Sequence, residues 1–193
     1  EIIHECHKRN IRVVARFDFS KTHDYIFQQR PQWFVRDLNK KPRIYGKDRM
    51  GVWSLLLSTC INEGYRNDEV AVPVLNEVLD TYDIDGIFFN APHYELCHCD
   101  TCKAKYYDIY KKPLPENPDD FERNWPSLCL KDNMDKLRKT VKAKRADVPI
   151  ILYYGLYNDN LYDRTATADM ICTNLRMCCR WAGIEFPRHG DPL

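Results

Sequence analysis

Ile84-Asp85-Gly86-Ile87-Phe88-Phe89 is the stretch on which the reading of the fold turns. It is short, rich in branched and aromatic residues, and nearly continuous in its apolar character, as a strand buried on both faces should be. Ile11 to Phe17 (IRVVARF) and Ile150 to Tyr154 (IILYY) have the same character, and Ala168 to Thr173 is a weaker fourth candidate. Helical patterns lie between them. Glu1 to Arg9 reads as the end of a helix. Leu75, Val78, Leu79 and Tyr82 recur at helical spacing, with Asn67 as the expected cap and Pro73 setting a start or bend near Val72. Another helix is expected over about Asp132 to Arg145, ahead of Val148 and Pro149.

Strands alternating with helices specify a parallel sheet. Two connections, at about 20–66 and 90–118, are too long for plain crossovers, and insertions after strand ends are where barrel enzymes build their sites. An open doubly wound sheet is the alternative, but no Gly-rich phosphate loop follows any strand. The expected fold is therefore α/β, of the (β/α)8 TIM-barrel type, in a single domain over residues 1–193. A complete barrel needs roughly 250 residues, so a partial barrel is expected.

Charge narrows the partners. Lys and Arg total 29 against 28 Asp and Glu, a net charge of +1, which leaves no electrostatic footprint for nucleic acid. The basic run Lys136, Arg138, Lys139, Lys142, Lys144 and Arg145 alternates with Met134, Leu137 and Val141, the pattern of a solvated helix face. No apolar stretch approaches the roughly 20 residues that span a bilayer, so no membrane partner is expected. The chain opens with Glu1 already in a helical pattern and no signal peptide precedes it, which points to a cut start and a cytoplasmic setting. A homo-oligomer stays open.

The sharpest chemical signal is Cys97-His98-Cys99-Asp100-Thr101-Cys102. Three thiols in six residues cannot all pair locally, whereas thiolates at about 2.3 Å around zinc form a tetrahedron once a fourth ligand arrives. Cys60 is the expected fourth, on the previous long loop, with His98 the local competitor and Cys129 the distant one. A closed four-sulfur shell leaves no open position for water, so the zinc would be structural. Disulfides or free buried thiols are the competing reading.

Polar residues at strand ends form a second group. Arg16 and Asp18 follow the first strand, Asn90 and His93 the second and Tyr154 the third, and in a barrel all would face one mouth. Asp18 and His93 are the candidate catalytic residues; Arg16, Asn90 and Tyr154 are candidate substrate contacts. Against this, Asp18 would pair with Arg16 or cap a turn with Ser20. Glycosidases need two carboxyl groups across one bond, and Asp18 is the one well-placed acid. Glu95 sits beside the cysteines, where a loop role is expected, and Asp85 lies at the opposite strand end. In Arg30-Pro31-Gln32-Trp33-Phe34-Val35-Arg36-Asp37, Trp33 is a candidate sugar platform, or else a plug that seats the loop.

The segment Cys60-Ile61-Asn62-Glu63-Gly64-Tyr65-Arg66, then a helix, then IDGIFFN, then C-x-C-x-x-C, resembles the β-galactosidases of glycoside hydrolase family 42. The resemblance implies zinc on Cys60, Cys97, Cys99 and Cys102. RVVARFDFSKTH, RPQWFVRD and YDIDGIFFN resemble the group called hypothetical glycosyl hydrolase 6. The likeness covers about Glu1 to Tyr154. It implies a glycoside hydrolase-like protein acting on a galactoside- or fucoside-type carbohydrate. One departure matters. The β-galactosidases carry Asn-Glu after the fourth strand, where this chain reads Asn90-Ala91-Pro92, and the similar α-L-fucosidases would place an Asp nucleophile at Asn90. An amide neither donates a proton at neutral pH nor serves as a good nucleophile. The catalytic set is therefore expected to be incomplete here, and a non-catalytic carbohydrate-binding barrel is the alternative.

Overall fold

The computed structural model describes residues 1–45, 55–90, 92–153 and 168–172. Tyr154, expected at the site, lies outside the described residues. Four strands form one sheet in the order β1 (Val14–Phe17), β4 (Gly86–Phe89), β5 (Ile150–Tyr153) and β6 (Met170–Cys172), every neighbouring pair parallel. Each coincides with a strand expected from its apolar run. In sequence between β1 and β4, within the expected insertion at about 20–66, lies an antiparallel pair, β2 (Lys21–His23) and β3 (Leu56–Ser58).

Alternation along the strands sorts the sheet into two faces. Ile87, Phe89, Ile150 and Leu152 are buried in one core with Leu75 and Leu79 of α3 (Ala71–Thr81) and Leu130, Met134, Leu137 and Val141 of α5 (Trp125–Lys144). The opposite face carries Val14, Arg16, Phe88, Ile151 and Tyr153, all half-buried or exposed. The strands were expected to be buried on both faces, and among the described residues only one face is, packed under helices.

One helix cap, one helix start and one whole helix differ from expectation. α3 begins at Ala71, near the expected Val72, but with Val70 as its cap: the Asn67 Oδ1 that would cap it accepts from Asn133 Nδ2 at 3.0 Å, while its Nδ2 donates to the carbonyls of Ile61 and Glu63. Pro73 sits in the first turn, where its missing N–H costs nothing. α5 begins seven residues before Asp132, at Trp125, with Pro126 in its first turn. α4 (Asp100–Tyr110) occupies much of the segment read as a long loop. Its low amphipathicity hid it: the face toward the core is Cys102 and Tyr106, not a leucine stripe. α1 (Ile2–His7) matches the expected helix end, and α2 (Asp24–Gln29) follows β2 directly.

The basic face of α5 is spent on ion pairs with the surface. Lys136 meets Asp68, Lys142 meets Asp169, Lys144 meets Asp80 and Arg145 meets Asp147. That is the solvated outer face expected of it. No helix among the described residues is long and apolar enough to cross a membrane.

Candidate functional site

The parallel register puts the ends of β1 and β4 side by side, with Arg16 opposite Phe88 and Phe17 opposite Phe89. Asn90, one residue past β4, donates its backbone N–H to the carbonyl of Phe17. This brings Arg16, Asp18 and Asn90 together. Asp18 accepts from the Ser20 backbone N–H at 3.1 Å, the Ser20 hydroxyl at 2.5 Å and Asn90 Nδ2 at 2.8 Å, and pairs with Lys21. Burial pushes its carboxyl up, but the Lys21, Ser20 and Asn90 hydrogen bonds outweigh it and hold the pKa below the ordinary aspartate range. Asp18 is thus ionised and saturated with donors. The turn cap with Ser20 is present; the direct pairing with Arg16 is replaced by a relay, in which Arg16 Nη2 donates to Asn90 Oδ1 at 2.7 Å.

His93 is placed differently. Its Nε2 lies 2.9 Å from Glu95 Oε1, which also accepts from the Ser58 hydroxyl, while Glu95 Oε2 faces Arg43 at 3.2 Å. Burial raises the Glu95 pKa, and His93, Arg43 and Ser58 together bring it below the ordinary value. The two groups are joined by Arg66. Its guanidinium, fully buried, donates to Thr59 Oγ1, to the His93 carbonyl at 2.8 Å and to the Ser20 carbonyl at 3.3 Å. In the sequence Arg66 is only the last residue of the segment that starts at Cys60. A buried arginine that binds three separate loop segments has no local sequence signature. Glu95, expected as loop structure, ties His93, Ser58 and Arg43 together and also lines a cavity of about 860 Å³ with Val35, Ile44, Tyr45 and His98.

Trp33 packs its ring against Tyr65 at 5.5 Å between centroids, and the Arg30 guanidinium lies over the Trp33 ring, 5.4 Å from its centre. Phe34, its neighbour, is fully buried. The loop is plugged down by this pair, with Trp33 half-buried.

Cys60, Cys97, Cys99 and Cys102 are all buried, and their sulfurs lie within 4.8 Å of one another. Tight local turns cause this. Cys99 caps α4, its sulfur accepting from the Cys102 N–H, and Cys97 accepts from the N–H groups of Arg36 and Cys99. Cys60 approaches Cys102 at 3.4 Å and Cys99 at 3.8 Å, and tetrahedral zinc–sulfur geometry at about 2.3 Å requires about that spacing. Cys102, Cys97 and Cys99, and then burial, push the Cys60 thiol well above its ordinary range, since packed thiolates repel unless a cation lies among them. The donor set fits zinc. Among the described residues the competitors stand aside: His98 packs its ring against Phe121, and Cys129 meets the four-sulfur cluster through Asn62, whose amide donates to both Cys102 and Cys129.

Residues 1–91 match the family described as hypothetical glycosyl hydrolase 6. No curated protein matches significantly. Among solved structures, α-L-fucosidase isoenzyme 2 from Paenibacillus thiaminolyticus is similar at a TM-score of 0.67 and 20% identity, over 86% of this chain and 24% of that one. The β-galactosidase from Rahnella sp. R3 is similar at a TM-score of 0.70 and 14% identity, over 90% and 30%. That from Bacillus circulans sp. alkalophilus is similar at 0.63 and 15%, over 99% and 32%. The chain spans about a quarter to a third of these structures, and at such identities the likeness is one of fold. The resemblance to hypothetical glycosyl hydrolase 6 is borne out over residues 1–91, and the likeness to glycoside hydrolases as one of fold.

Proposed function

We propose that this chain is part of a (β/α)8 barrel of the glycoside hydrolase type, acting on a galactoside- or fucoside-type carbohydrate with a catalytic set that these residues do not complete. The observation that carries it is the polar cluster Arg16–Asn90–Asp18–Lys21 at the C-terminal ends of β1 and β4, where a barrel holds its site. Asp18 and Asn90 serve there as orienting and hydroxyl-binding groups. A general acid must hold a proton near neutral pH, and Asp18 is ionised with its lone pairs occupied. The second reading, a barrel that binds carbohydrate without cleaving it, is favoured by the same saturation.

Zinc on Cys60, Cys97, Cys99 and Cys102 belongs to this proposal as a structural ion. It would tie the β3 loop to the start of α4, and its charge would offset the four thiolates.

Turnover of a panel of nitrophenyl glycosides by the full-length protein, with a glycan array beside it, tests the reading. Turnover or selective binding of galactosides or fucosides is expected. Absence of both from zinc-replete full-length protein would overturn it. The 193-residue chain alone should hydrolyse no glycoside above background. General acid–base help that it cannot supply is worth roughly 10² to 10⁴.

A further inference from the structure

Four thiolates outweigh the charge of one zinc ion, so a loaded site on Cys60, Cys97, Cys99 and Cys102 is a net anion, and all four residues are buried. A buried charge is costly unless donors and counter-charges surround it. Backbone N–H groups supply part of what is needed: Cys97 accepts from Arg36 and Cys99, and Cys99 accepts from Cys102. Cys102 has a side-chain donor as well, Asn62, whose Nδ2 lies 3.2 Å from its sulfur and 3.3 Å from that of Cys129. The far end of the same amide fixes its direction. Lys105 Nζ, which can only donate, meets Asn62 Oδ1 at 2.9 Å, so Nδ2 must face the sulfurs. Lys105 stands on α4 three residues beyond Cys102, on the same face of the helix. Its side chain is 25% exposed, whereas its other partner, Asp132 at 2.8 Å, is 54% exposed. Water therefore screens the outward pair more than the inward bond.

We propose that Lys105 is a positioning residue that, through Asn62, offsets the charge of the four-sulfur site and sets how tightly zinc is held there. This rests on the zinc reading and deepens it. The ammonium orients the amide and polarises its N–H toward Cys102, which draws charge from that sulfur and eases the repulsion among the four. Asp132 takes up part of the Lys105 charge from the solvent side, so the two residues act on the site with opposite signs.

The test is the rate of zinc transfer from the full-length protein to a chromophoric chelator, with the absorption of the cobalt(II)-substituted protein beside it. Lys105→Met should release zinc about tenfold faster, the low end of what removing such an outer partner costs in metal affinity. Lys105→Arg keeps the charge and the donors and should stay close to the parent. Asn62→Asp, which replaces the donors with acceptors, should release zinc faster still and shift the sulfur-to-cobalt charge-transfer band. Asp132→Asn should slow the release. A lysine that merely braced Asn62 and α4 against α5 predicts the reverse, since losing Asp132 would loosen the brace. Lys112→Met removes an exposed lysine paired with Glu122 and should change nothing. Release from Lys105→Met at the parent's rate, an equal effect of Lys112→Met, or Asp132→Asn moving with Lys105→Met overturns this inference and leaves the zinc reading standing. A parent that binds neither zinc nor cobalt overturns both.

Discussion

Asn90 Nδ2 donates to Asp18 Oδ2 at 2.8 Å, tying the residue beyond β4 to the residue beyond β1. The bond explains why an amide is at home where similar hydrolases were expected to carry a carboxylate. A second carboxylate there would face Asp18 across a hydrogen-bond distance, and like charges so close cannot both ionise comfortably. Asn90→Asp should therefore destabilise the protein by about 1–3 kcal/mol at neutral pH, and by less in acid, where one of the pair takes up a proton. Urea unfolding at both pH values checks it. A variant as stable as the parent at pH 7 would mean that the Asn90 bond is dispensable.

Glu95 and Asp18 both have pKa values below their ordinary ranges, so both contribute to acid sensitivity with the same sign. In the unfolded chain they take up protons near pH 4, at about 3.9 for Asp and 4.3 for Glu; the folded chain resists until lower pH. Their stabilisation is complete above the unfolded values and is lost as pH falls through the folded ones. Glu95→Gln, which keeps acceptor and shape but not charge toward His93 and Arg43, should flatten the fall in stability below about pH 4. Unfolding free energies measured down the acid limb report it, and parallel slopes for parent and variant would remove Glu95 from the account.

Metal content separates the knot from its neighbour. One equivalent of zinc is expected in protein purified without added metal, with Cys60→Ser, Cys97→Ser or Cys102→Ser losing most of it. Cys129→Ser should keep it. Burial holds the Cys129 thiol at about 11, and its sulfur meets Asn62 rather than the four-sulfur cluster. Chelation should lower the melting temperature of parent and Cys129→Ser alike, because a structural ion contributes folding free energy. Zinc loss in Cys129→Ser would make it a ligand in place of one of the four.

What the sequence made legible followed from strong local patterns. Ile87, Phe89, Ile150 and Leu152 announced the strands by their apolar runs, and the three thiols of 97–102 announced a knot by spacing alone. Asp85 was read at the far strand end, and there it binds the Val13 N–H, Arg12 and His7. What stayed hidden depends on long-range contact. β2 pairs with β3 across more than thirty residues of intervening chain, so neither strand is explained by its own short sequence. Lys21 has no local signal, since only the fold brings Asp18 and the Tyr45 ring against it. α4 escaped because two buried side chains, Cys102 and Tyr106, anchor it to the core in place of an apolar stripe.

Arg66 offers the sharpest test of how the strand ends and the knot are held in register. It is 3% exposed, and its guanidinium reaches Thr59 beside Cys60, the carbonyl of Ser20 beside Lys21, and the carbonyl of His93 in the chain leading to Cys97. Burial lowers its pKa, and Cys60, Glu95 and Asp18 are the charges that oppose this. Arg66→Lys keeps the charge but replaces a planar fork of five donors with one flexible ammonium, which cannot span three acceptors. Arg66→Met removes the charge and leaves those acceptors short of a partner. Each unsatisfied buried group costs about 1–3 kcal/mol, so Arg66→Met should lose about 2–4 kcal/mol of stability and Arg66→Lys somewhat less. A clamp serving both groups predicts more than a loss of stability: in Arg66→Lys, zinc should leave to a competing chelator faster, and the acid limb set by Asp18 and Glu95 should shift with it. Denaturant unfolding, chelator-release kinetics and the pH profile measured on one preparation would show the three moving together. A variant that loses stability with unchanged zinc release and an unchanged acid limb would reduce Arg66 to a local support for Thr59.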